Sequence, residues 1–220
     1  MSVEAVPATQ PLLEFSVLDA AEMPRSAAPL LRFDGHVAEE SGREVFTIAL
    51  TVQIMVEPAK RSYDDATKER LVEMFGAPER WAQTTNNFLL AEIYLLVPAF
   101  TGATGFRVLL PCTFDMEIAA AKYLYSLPDG EVPLLFNFTG SVFYRGEDGR
   151  IQITQVPWDR SARLSMPIAT WRDMMAHHYP NGSWIRLDEA TLDALGRRKA
   201  REGLPTYDAV VTQLLEDEGS

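Results

Sequence analysis

An α+β fold is what this sequence predicts: an antiparallel β-sheet or sandwich core, with inserted helices and a C-terminal helical segment. Three observations carry that expectation. Residues 44–58, EVFTIALTVQIMVEP, alternate apolar and mixed side chains with a period of two. Several short strand-like runs are joined by turn-forming residues instead of helical crossovers, which favours antiparallel pairing. Beyond residue 167 the apolar residues recur at helical spacings.

In chain order, residues 12–19 (LLEFSVLD) and 30–39 (LLRFDGHVAE) read as strands around a proline-containing bend at Pro24 to Pro29. In the next strand Phe46, Ile48, Leu50, Val52, Ile54 and Val56 share one face, because successive strand side chains point to opposite sides. Pro58 supplies no backbone donor and ends the ladder. A helix follows in SYDDATKERLVEMFG, with Ser62 as N-cap, Asp64 and Asp65 in its first turn and Gly76 placed for a left-handed C-cap. Leu71, Met74 and Phe75 form its apolar stripe. PERWAQTTNNFLLAEI reads as a second, weaker helical stretch, and FTGATGF as a glycine-bracketed loop leading into a strand at GFRVLLPCTFDME.

MEIAAAKYLYSL switches from strand to a short helix, closed by the turn PDG. Residues 131–145 alternate Leu134, Phe136 and Phe138 against Leu135, Asn137 and Thr139, then pass through GEDG into RIQITQVPW as a hairpin. Helices close the chain. PIATWRDMMAHHY carries Ile168, Trp171, Met174 and Met175 on one side; LDEATLDALGRRKAREG has Asp188 as N-cap and Gly203 as C-cap; PTYDAVVTQLLEDE aligns Tyr207, Val210, Val211 and Leu214. The expectation is a single domain over 11–216, with 1–10 and 217–220 as flexible termini.

Composition narrows the function. Thirty-one carboxylates against 20 Lys plus Arg give a formal charge of −11, which repels phosphate backbones and argues against nucleic-acid partners. The densest basic run, GRRKAR at 196–201, is flanked by acids and reads as a solvated helix face. Cys112, the one cysteine, has no internal disulfide partner. The first residues lack the basic and apolar regions of a secretory signal, and the most apolar run, FLLAEIYLLVPAF, is broken by Glu92 and Pro98. The chain therefore reads as cytoplasmic, without membrane insertion.

Candidate chemistry is sparse. His177 and His178 stand together in MMAHHYPNGSW, but adjacent helical residues diverge by about 100°, so they read as a helix end and not as a metal pair. Ser141 in TGSVF lacks the flanking glycines of a nucleophile elbow, and Cys112 sits in an apolar run without a basic neighbour. TGATG and RGEDGR lack Walker spacing. The reading assigns no catalytic residue, no metal and no cofactor. Asp115 and Glu117 would share a strand face and raise each other's pKa if partly buried, which keeps an enzyme alternative open. Aromatics at turns remain: Phe100, Phe106, Trp158 and Trp184, with His178 beside them, either staple helices to the sheet or anchor a partner protein.

Taken together, LLEFSVLDA, SAAPLLRF, VQIMVEPAKRSYDD, the long stretch from VPAFTGATGF to NFTGSVF, QVPWD, WIRLDEATLDAL and LPTYDAVV resemble an uncharacterised bacterial domain-of-unknown-function family over residues 12–215. That family brings no catalytic residues to carry over. Its members are often encoded near NiFe-hydrogenase structural and maturation genes, so the resemblance implies an accessory or assembly role. Three readings follow: a non-enzymatic accessory protein binding a hydrogenase or maturation subunit; a peptide-holding, chaperone-like module; and an enzyme of unrecognised type using Asp115 and Glu117 or His177 and His178. The oligomeric state stays open.

Overall fold

A computed structural model describes residues 10–113, 118–180 and 187–218, which leaves Asp115, Glu117, Trp184, residues 1–9 of the expected N-terminal tail and 219–220 of the C-terminal one outside the described residues. The chain falls into two compact units, Met1–Asn181 and Gly182–Ser220.

The first unit contains two antiparallel sheets. One has the order β1-β2-β6, built from β1 (Leu13–Glu22), β2 (Leu30–Glu39) and β6 (Ala103–Pro111). The other centres on β3 (Glu44–Val56), which lies between β4 (Phe88–Val97) and the long β7 (Glu131–Arg145). The short β5 (Phe100–Thr101) also pairs with β3, while β8 (Ile151–Gln155) and β9 (Ser161–Pro167) pair with β7. The two sheets meet through aromatic rings. Phe15 stacks on Phe138 at 4.6 Å between centroids, and Phe33 meets Phe136 edge-on at 5.2 Å. Alternation produced this layer: Ile48, Leu50, Val52, Ile54 and Val56 from β3 and Leu134, Phe136 and Phe138 from β7 are all buried, as the period of two required.

Helices cover the ends. In α1 (Asp65–Phe75) Leu71 and Phe75 are buried, and α3 (Ile118–Ser126) buries Tyr123 and Leu124. The last helix of this unit, α4 (Ile168–His178), buries the expected stripe of Ile168, Trp171, Met174 and Met175. Two buried carboxylates tie down turns. Glu39 accepts hydrogen bonds from the backbone N–H groups of Leu12, Ser41 and Arg43 at 3.1, 2.9 and 2.7 Å, and from the Ser41 hydroxyl. Glu57 pairs with Arg163 at 2.9 Å and Lys60 at 3.0 Å.

Four local expectations are corrected. The cap of α1 is Asp64, not Ser62: its carboxylate accepts from Thr67 N–H at 2.8 Å, and a carboxylate at a helix N-terminus also meets the positive end of the dipole. PERWAQTTNNFLLAEI is helical only in the short turn Pro78–Arg80 and in α2 (Trp81–Thr84); from Phe88 it is the edge strand β4, whose pairing with β3 overrides its propensity. FTGATGF is not a free loop. Thr101 pairs with Glu44 of one sheet and Ala103 with Ala38 of the other, so the chain changes sheets at Gly102, whose φ of 75° suits glycine. Phe46 leaves the core face because the β3–β7 register shifts between Val45 and Thr47; Val45 is buried in its place, and the Arg145 guanidinium lies 5.1 Å from the Phe46 ring centroid.

The second unit holds α5 (Glu189–Glu202) and α6 (Tyr207–Glu218). Both expected caps are present: Asp188 accepts from Thr191 N–H at 2.7 Å, and Gly203 is left-handed at φ 66°. Arg198 links the helices, reaching Glu202 at 3.0 Å and Asp217 at 2.7 Å.

Candidate functional site

A groove of about 570 Å³ crosses β1, β2 and β6 toward the end of β4. Leu18, Leu95, Leu96 and Pro98 give it apolar walls, and Asp34, His36 and Arg107 give it polar groups. Its placement follows from strand periodicity. Phe33, Val37, Phe106 and Val108 point into the core, so Asp34, His36, Gly105 and Arg107 alternate to the outer face of the same strands. On β1 the same alternation, with Phe15 and Val17 buried, turns Leu18 outward and leaves it 64% exposed at the register shift between Val17 and Asp19. Leu96, 73% exposed, completes the rim from β4.

Two glycines shape the floor. Gly35 faces the core, where the ring of its cross-strand partner Phe106 lies flat against it: a Cβ there would sit 2.3 Å from Phe106 Cε2. That ring is held edge-on by Phe15 and Phe138 at 6.2 and 6.1 Å, so the floor rests on packed aromatics. Gly105, opposite His36, faces out. A Cβ on it would meet nothing nearer than the Gly35 carbonyl oxygen at 3.7 Å.

Asp34 organises the charges. Its carboxylate lies 3.1 Å from Arg32 Nε and 3.6 Å from Arg107 Nε. The nearer arginine takes the shorter contact, and the Arg107 side chain remains 67% exposed. Chemically the groove offers a wall for an aliphatic or aromatic body, a guanidinium for an anion, and a carboxylate and an imidazole for hydrogen bonds.

The residues singled out from sequence are placed differently from one another. Phe100 and Phe106 are buried core residues, and Phe106 packs against rings from two strands, those of Phe15 and Phe138. Trp158 is 91% exposed in the turn between β8 and β9. Near it on the chain, Ile151 and Ile153 of β8 are also exposed. His177 and His178 do converge, on one carboxylate: Glu22 Oε1 lies 3.0 Å from His177 Nδ1 and 3.6 Å from His178 Nε2. Their rings stand 5.6 Å apart at the last turn of α4, an arrangement that pins the helix end to β1. Among the described residues, no group of three or more His, Cys, Asp or Glu is placed to hold a metal ion. Among them also, no helix is long and apolar enough to cross a membrane.

Cys112 is buried, and desolvation pushes its thiol up to about 12. Sequence reasoning missed Leu18, Asp34, Gly105 and Arg107. The available signal was a glycine at a strand position, hidden because GATG read as loop.

Comparison with known proteins gives a family and little else. A family of unknown function, DUF6084, matches residues 10–220. No curated protein matches. Among solved structures, a Bordetella pertussis chain named as an ApaA protein is similar with a TM-score of 0.25 and 11% identity, covering 73% of this chain and 98% of that one. A β-glucosidase from Kluyveromyces marxianus gives a TM-score of 0.26 and 8% identity over 71% of this chain and 15% of the enzyme. A β-glucosidase involved in saponin metabolism from intestinal bacteria gives 0.24 and 14% over 70% and 17%. At such scores neither fold nor activity is carried over.

Proposed function

We propose a function from one premise: this chain belongs to DUF6084, a family of unknown function, across residues 10–220. On that premise we read it as a non-enzymatic accessory protein that binds a segment of a partner protein in the groove over β2 and β6. One observation carries the reading. Exposed Leu18 and Leu96 rim a groove of about 570 Å³ whose polar groups, Asp34, His36 and Arg107, stand beside the apolar wall. Exposed apolar side chains rimmed by polar groups mark surfaces that meet a partner or ligand. The client class comes from the family resemblance: a NiFe-hydrogenase or maturation subunit, met during assembly.

Affinity capture of the tagged chain from its native cells, with mass spectrometry, tests both parts. Recovery of such a subunit by the native chain, and its loss with a Leu18→Asp/Leu96→Asp variant, supports the reading. Equal recovery by both chains moves the partner off the groove. A capture that matches the untagged control removes the accessory role.

A further inference from the structure

One end strand has an open edge. β4 pairs with β3, and among the described residues no backbone hydrogen bond from outside that ladder reaches residues 88–96. An antiparallel strand points its N–H and C=O groups alternately to its two sides, so about half of those in β4 face away from β3. Edges of this kind are ordinarily guarded by lysine, proline or an inward charge. β4, FLLAEIYLLV, contains no lysine, arginine or proline. Its one charge, Glu92, lies on the outer face, where it accepts from Gln53 Nε2 at 2.7 Å and from the Tyr94 hydroxyl. Two other end strands are better protected: β6 carries Arg107 and ends on Pro111, and β8 is five residues long.

The core is also unfinished at this edge. Ile93 and Leu95 stand opposite Val52 and Leu50 of β3, which are fully buried, yet both are only half-buried themselves. A further strand beside β4 would complete their cover.

The pattern of β4 identifies that strand as a second β4. Leu90 is skipped where the register with β3 shifts, so the regular run is 91–97, with Tyr94 at its centre. Two such runs can pair antiparallel with Tyr94 opposite its counterpart. Ile93 then meets Leu95 of the second copy and Ala91 meets Val97, each contact made twice by symmetry. On the outer face each Glu92 meets Leu96, so the two carboxylates stay apart. Centring the pair on Glu92 would instead set like charges face to face. Centring it on Ile93 would run into the skipped Leu90, and centring it on Leu95 would use Pro98, which has no N–H. Charge and regularity favour one self-pairing.

We propose that β4 is a dimerisation edge: it pairs antiparallel with β4 of a second copy of this chain, in the register centred on Tyr94, and joins the two β3-centred sheets into one. The inference goes beyond the partner-binding reading and does not depend on it. Pairing uses the backbone edge of β4 and leaves Leu96 on the outer face of the joined sheet.

Sedimentation equilibrium of the full chain tests the dimer, and cysteine linking tests the register. The native chain should show the dimer mass. Tyr94→Lys, at a site 72% exposed, should weaken dimerisation at least tenfold with an unchanged circular dichroism spectrum. Cys112 is the one cysteine and is buried, so Tyr94→Cys supplies the only accessible thiol. Directly opposed strand residues lie about 4.5–5.5 Å apart between Cα atoms, within disulfide reach, so that variant should oxidise to a covalent dimer. Glu92→Cys alone should not link, but should link when mixed with Leu96→Cys. A native chain that stays monomeric at every concentration overturns the inference. A dimer that survives Tyr94→Lys while Tyr94→Cys stays unlinked overturns it equally, because the interface then lies elsewhere. Linking by Glu92→Cys alone overturns the register.

Discussion

Alanine at Gly35 and alanine at Gly105 should move stability in opposite directions, although the two positions lie one residue apart in register on neighbouring strands. At Gly35 the new Cβ would lie 2.3, 2.4 and 2.9 Å from three ring carbons of Phe106. Ordinary carbon contacts are about 3.5–4.0 Å, so the ring must retreat by about 1 Å or more. It has nowhere to go, because Phe106 is buried and edge-packed against Phe15 and Phe138. Overpacking of this kind costs about 1–3 kcal/mol. For a chain of this length 1 kcal/mol corresponds to about 2–4 °C, so the midpoint should fall by about 2–12 °C. At Gly105 the Cβ enters open space, and alanine should stabilise by about 0.5–1 kcal/mol through the lost freedom of the unfolded chain, or about 1–4 °C. Thermal and urea unfolding followed by circular dichroism would measure both. A Gly35→Ala chain as stable as the native one, or a Gly105→Ala chain clearly less stable, would refute the assignment of which face each glycine occupies.

Glu57 is 4% exposed; burial opposes its ionisation, but hydrogen bonds from Arg163 and Lys60 outweigh that cost and hold its carboxyl below the ordinary range. A depressed folded pKa stabilises above the unfolded value of about 4.3, and the contribution disappears as pH falls through the folded pKa. Glu57→Gln should therefore cost about 1–3 kcal/mol at pH 7 and progressively less below about pH 4.3, read as melting curves of both chains across pH. Cys112 should resist Ellman's reagent at pH 8 until denaturant is added, since burial pushes its thiol up to about 12; rapid labelling of the folded chain would contradict its placement. Trp158→Ala should leave stability within about 0.5 kcal/mol while lowering the acrylamide-accessible part of the tryptophan fluorescence, because that ring is 91% exposed.

The parts of the fold legible in the sequence are those decided within one element. The alternation of β3 and β7, the stripe of α4 and the caps of α5 each depend on residues a few positions apart, and each is present. What was missed depends on a second element. Residues 88–97 are apolar at nearly every position, which suits a helix as well as a strand until β3 offers its edge. The turn of Phe46 away from the core comes from a bulge in pairing with β7, and no periodicity within β3 announces it.

The groove was hidden for the same reason, and Phe106 shows how. From sequence, an aromatic beside a glycine-rich run could staple or anchor; the choice depended on whether a vacancy lay across from it, and Gly35, distant along the chain, supplies that vacancy. Once Phe106 is committed inward, its neighbours Gly105 and Arg107 are committed outward by the pleat. A single glycine thus fixes the floor of the groove from below, and a second keeps it empty from above. Only the first contributes to packing, so the second destabilises the strand without any return inside the folded chain. If a Gly105→Val chain proves more stable and binds every partner normally, that imbalance has no functional meaning; if stability rises while binding falls, the residue is where recognition and folding pull apart.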